Sequence, residues 1–160
     1  MPVTATPIFA QTANVGALNA LVRTAMTNTK AFDGTEAVGT ALALVFTAGA
    51  NGSRIDQLVC RFASTNGSTA SGTSAATVVR FWINNNSVNT TATNNIFLGE
   101  VAMPATTVTA LGTSALTTYF ATLPLGGLNI PASYRIYGGL TVAAGGTNIS
   151  IAMTAFGGDY

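Results

Sequence analysis

Apolar and polar side chains alternate with a period of two along much of this chain, the repeat of a β-strand with one face buried. From Thr147 to Phe156, Ile149, Ile151, Met153 and Ala155 alternate with Asn148, Ser150, Ala152 and Thr154, which predicts a strand with the first set on a core. In Thr77 to Asn84 the same rule points Val79, Phe81 and Ile83 inward and Arg80 and Trp82 outward. An outward Trp needs a cover, so Trp82 is expected either under a loop or in an interface. From Val38 to Thr47, residues Leu42, Leu44 and Phe46 share one face against Ala41, Ala43 and Val45, so both faces are expected to be covered.

Further strands are predicted at Arg54 to Ala63, Asn95 to Met103, Ala115 to Leu123 and Tyr134 to Val142. Clusters of Asn, Gly, Ser and Thr punctuate them, at Gly49 to Ser53, Ser64 to Ser74, Asn84 to Asn95, Thr106 to Ser114, Gly126 to Asn129 and Gly145 to Asn148. Asn51-Gly52 between two alternating runs predicts a hairpin turn over Ala50 to Ser53. Pro104, Pro124 and Pro131 are expected between strands, where a missing N–H leaves no ladder bond unmade. Thr12 to Arg23 also fits a helical period through Val15, Leu18, Leu21 and Val22, but Asn14, Gly16 and Asn19 favour strand or arm. The sum is an all-β, single-domain β-sandwich over residues 15–160 with an extended N-terminal arm over residues 1–14.

Composition sharpens this picture. Only 11 of 160 residues are charged, none is His, and the formal net charge is +1. A typical domain carries about a quarter of its residues as charges, so this surface is covered by neutral polar and small apolar side chains and repels its own copies weakly. The six basic residues, Arg23, Lys30, Arg54, Arg61, Arg80 and Arg135, are scattered, so no basic face for nucleic acid is expected. No apolar run reaches the roughly 20 residues of a membrane helix, and the N-terminus has no pattern of a secretory signal.

Chemistry is sparse. Without His, a Ser-His-Asp triad and a His-ligated metal are excluded, and the phosphate-binding glycine motifs are missing. Asp33 and Glu36 are close in sequence, but Phe32-Asp33-Gly34-Thr35-Glu36 suits a turn better than a catalytic pair. Cys60, in a strand-spaced run with Leu58 and Phe62, is read as a buried small hydrophobe. Asn84-Asn85-Asn86 lacks the carboxylates that a calcium site needs. No cofactor, metal or catalytic residue is expected, and an enzyme is not.

Four segments taken together, Val45 to Ile55, Val79 to Asn85, Leu128 to Ile136 and Ala155 to Tyr160, resemble a group of small proteins of tailed bacteriophages and prophages. The resemblance spans residues 38–160, and its specific parts are Gly49-Ala50-Asn51-Gly52-Ser53 with Arg54 and Ile55, and the terminal Gly157-Gly158-Asp159-Tyr160. It implies a capsid decoration, or cement, protein of jelly-roll type on the exterior of a virion. Such a protein is made in the host bacterial cytoplasm and binds the major capsid protein as a homo-oligomer, expected to be a trimer. Other virion parts (tail, head fibre or coat) are alternatives. So is a carbohydrate-binding module using Trp82, Tyr119 or Tyr137 as a platform.

Interface residues are expected at the two ends and at Trp82. Pro2, Val3, Pro7, Ile8 and Phe9 belong to the arm that orders on a partner. Gly157-Gly158 is read as a hinge that presents Asp159 and Tyr160 to a neighbouring subunit.

Overall fold

The computed structural model describes residues 12–16, 20–26, 33–36, 38–39, 41–64, 72–108, 120–145 and 149–160. Eleven strands are described: β1 Thr12–Val15, β2 Ala20–Val22, β3 Leu42–Thr47, β4 Ser53–Ser64, β5 Gly72–Thr73, β6 Thr77–Asn84, β7 Asn95–Met103, β8 Thr107–Val108, β9 Phe120–Ile130, β10 Arg135–Leu140 and β11 Ile149–Asp159. They form two antiparallel sheets, one in the order β1-β11-β4-β9 with β2 also on β11, the other β3-β10-β6-β7. A short β5-β8 pair stands apart. The pairing is nested: β1 and β2 join β11, β3 joins β10, β4 joins β9, and β6 joins β7.

The core lies between the sheets. Ile149, Ile151, Met153 and Ala155 of β11 are all buried, as their alternation predicts, and face Val79 and Phe81 of β6 and Ile136 of β10. Burying aliphatic side chains of this size contributes about 1.5–3 kcal/mol each. A second, smaller cluster lies on the outer side of the β3-β10-β6-β7 sheet, where Met26, Ala41, Leu42, Trp82 and Tyr137 pack together.

Several local expectations change. The turn at Gly49 to Gly52 exists, closed by Gly52 N–H to Gly49 O at 3.1 Å, but it is not a hairpin. β3 and β4 lie in different sheets, so the turn is the corner that carries the chain from one to the other. In β3 the strict alternation breaks: Ile136 pairs with Phe46 but Tyr137 with Leu44, so Val45 is an extra bulged residue. Leu42 and Leu44 therefore face the outer cluster while Val45 and Phe46 both enter the main core.

Pro124 lies within β9, not between strands. β9 borders only β4, and the register shifts between Ile55 and Gln57, so the missing N–H falls beside a bulge on an edge strand. Gly126 and Gly127, both at positive φ, make that bulge where the sequence pattern reads as a turn. Thr12 to Val15, most of which the sequence reading places in the arm, pairs with Phe156 to Asp159 as part of the first sheet.

Candidate functional site

The C-terminal residues are the first site the sequence singles out, and the fold holds them in place. Gly157 and Gly158 are paired within β11, opposite Ile55 and Arg54, so they are not a hinge. Asp159 accepts hydrogen bonds from Asn14 Nδ2 on β1 at 2.9 and 3.0 Å and from Ser53 Oγ on β4 at 2.5 Å. Burial pushes its carboxyl pKa up, but the bonds from Asn14, Ser53 and the Gly49 backbone outweigh that and hold it below the ordinary value. Tyr160 is tied through its N–H to Gly52 O, through its carbonyl to Asn51 Nδ2 and through its hydroxyl to Asn129. Both residues are thus bound within their own chain.

Three of the four segments singled out in the sequence, Val45 to Ile55, Leu128 to Ile136 and Ala155 to Tyr160, meet here. Ala48 N–H donates to Tyr134 O and Ser133 N–H to Gly49 O, so the corner after β3, the turn after β9 and the end of β11 form one knot. Their joint presence in the sequence has a folding cause.

Trp82 is fully buried and is not an interface residue. Of the two covers expected for it, the loop is the one found: Gly34 lies so close that a Cβ there would come within 3.0 Å of Trp82 Cγ. Asn89 Nδ2 straps that loop down through Gly34 O at 3.3 Å and Glu36 O at 2.7 Å. Trp82 Nε1 finds no hydrogen-bond partner among the described residues. Phe97 packs edge-on to the ring with centroids 6.3 Å apart. Tyr137 is buried in the same cluster, so neither ring offers a sugar platform. Tyr119 lies outside the described residues, as do Pro2, Val3, Pro7, Ile8 and Phe9.

The remaining candidates for chemistry are structural. Asp33 Oδ1 accepts from Thr35 N–H at 3.1 Å and Thr35 Oγ1 at 2.9 Å, the local turn its spacing predicts. Cys60 is buried, and desolvation pushes its thiol pKa up to about 12. Asn84 Nδ2 donates to Asn95 Oδ1 at 2.8 Å, and Asn85 Oδ1 accepts from Ser87 N–H at 3.2 Å. Among the described residues no three His, Cys, Asp or Glu side chains gather where a metal ion could sit, and no helix is long and apolar enough to cross a membrane.

One surface was missed by the sequence reading. The outer face of the first sheet is crossed by a row Leu21, Ala152, Arg61, Phe120 and a row Val15, Phe156, Gln57, Pro124, with Thr154, Val59 and Thr122 between them. Its large apolar side chains are in water: Val15 is 47% exposed, Leu21 46%, Phe120 65% and Phe156 39%. Val15, Val59, Ala152, Thr154 and Phe156 line a shallow hollow of about 300 Å³, with Arg61 at its side. The signal was parity, since Phe156 falls on the outward set of its strand with Ala152 and Thr154, although Ser150 of the same set is buried. No known protein family, curated protein or solved structure matches this chain.

Proposed function

We propose that this protein is a non-enzymatic structural component of a bacteriophage virion, which decorates the capsid by packing as a homo-oligomer on the lattice of the major capsid protein. The observation that carries this reading is a β-sandwich whose chain carries only 11 charged residues in 160 and whose surface includes an open sheet face with exposed Val15, Leu21, Phe120 and Phe156. Proteins that tile a lattice need contact surfaces of this kind, because each copy is surrounded by protein and little of its surface has to repel other copies. The nested strand pairing supports the jelly-roll form of the sandwich, since rolling up one long hairpin pairs the first strand with the last and so on inward. The first eleven residues, with Pro2, Val3, Pro7, Ile8 and Phe9, are the proposed contact with capsid subunits.

Co-sedimentation with capsids of the phage that encodes the chain tests this. The full chain is expected to pellet with capsids to saturation, and a variant starting at Thr12 to bind more weakly while its circular dichroism stays native. A folded full chain that stays in the supernatant at saturating concentration overturns the reading.

A further inference from the structure

We infer that the open outer face of the β1-β11-β4-β9 sheet is where two copies of this chain meet, sheet against sheet about a two-fold axis. The inference goes beyond the virion reading and does not rest on it.

The face has the anatomy of an interface. Its middle row, Thr154, Val59 and Thr122, is uncharged, with a hollow beside Phe156 and a protruding ring, Phe120, on the same surface. Its end carries a polar rim, where Arg54 and Asp56 form an exposed ion pair at 3.0 Å beside Asn129. An in-plane two-fold axis through the Thr154 and Val59 centre sets Phe120 against an apolar residue of the other copy, Pro124 where the axis runs across the strands and Leu21 where it runs along them. The three central rows across four strands cover about 400 Å² in projection. That is roughly half of the ~800 Å² per partner of a stable interface, so the rim must supply the remainder.

Charge selects the occupant. Within the three central rows, Arg61 is the one ionisable side chain, so neither an acidic nor a basic partner finds a matching field there. A second copy offers a face as nearly neutral as the first. Arg61 also lies off the centre marked by Thr154 and Val59. An in-plane two-fold axis running across the strands through that centre sets Arg61 against the other copy's Gln57, and one running along them sets it against Ala152. Neither places Arg61 against a second Arg61.

The test is sedimentation of the purified full chain at micromolar concentration, with two variants. Wild type is expected at twice the 16.2 kDa chain mass. Phe120→Asp, an exposed change, is expected to weaken pairing by about 30-fold or more, with circular dichroism and Trp82 emission unchanged. Thr154→Cys, close to the axis, is expected to cross-link into a covalent dimer on mild oxidation, and buried Cys60 does not compete. A monomeric wild type overturns the inference, whether the face stays in water or waits for another protein. So does an assembly that survives Phe120→Asp, a wild-type trimer, or a dimer that Thr154→Cys fails to cross-link. Each of these leaves capsid binding by the full chain to be decided by co-sedimentation, so failure of the dimer and failure of capsid binding are read by different experiments.

Discussion

Asp159 shows how a single side chain closes this fold. Its carboxylate joins β1, β4 and β11 by accepting from Asn14 and Ser53. Because its folded-state pKa is lowered, its contribution is complete above the ordinary carboxylate pKa and is lost as pH falls through the lowered value. Thermal melting is therefore expected to fall on acidification below about pH 4, and Asp159→Asn is expected to remove that step. At neutral pH the substitution is expected to cost about 1 kcal/mol, allowing for solvent access to the group. Gly52 makes a second residue-scale case. Its φ is +89°, and a Cβ would approach Ile130 O to 2.7 Å, so Gly52→Val is expected to destabilise by about 1 kcal/mol or more in chemical denaturation. Both positions stand out in the sequence, as a turn glycine and a terminal acid. What they bind did not, because their partners lie up to 145 residues away.

Among the elements, alternation located strand bounds well: Thr77 to Asn84 and Asn95 to Met103 match β6 and β7 end to end, even though an extra residue at Leu98 shifts their register. What it missed was which way residues face beyond a bulge. Val45 and the Gly126-Gly127 pair each insert backbone that shifts parity, and nothing in a period-two pattern marks an inserted residue. The sheet assignment of β3 and β4 was equally hidden, since an Asn-Gly turn fits a corner between sheets as well as a hairpin. Trp82 is where one element depends on another. The loop at Gly34 covers it and Asn89 bonds that loop through two carbonyls, so Asn89→Ala is expected to cost about 1 kcal/mol. The same variant should redden Trp82 emission and admit a neutral quencher, and because the chain has one Trp the signal is unambiguous. Unchanged emission would mean that the packing of Gly34 on the ring holds the loop without Asn89.

At the scale of the whole molecule, a neutral exterior and a firm interior act together. The nested strands bury a core of Ile, Val, Leu, Phe and Met side chains, and the knot at the C-terminus fixes the strand ends. What remains outside is an open apolar sheet face and few charges, a surface suited to contact with other protein. The β-sandwich was legible from the strand pattern. The open face was not, because it arises only when β2, β4, β9 and β11 come side by side in register. The proposed virion role is tested most directly by labelling purified virions of a phage whose genome carries this sequence with antibody to the chain, seen by electron microscopy. Label distributed over the head surface in many copies is the expected result; label confined to the tail, or intact virions without the chain, would contradict the proposed role.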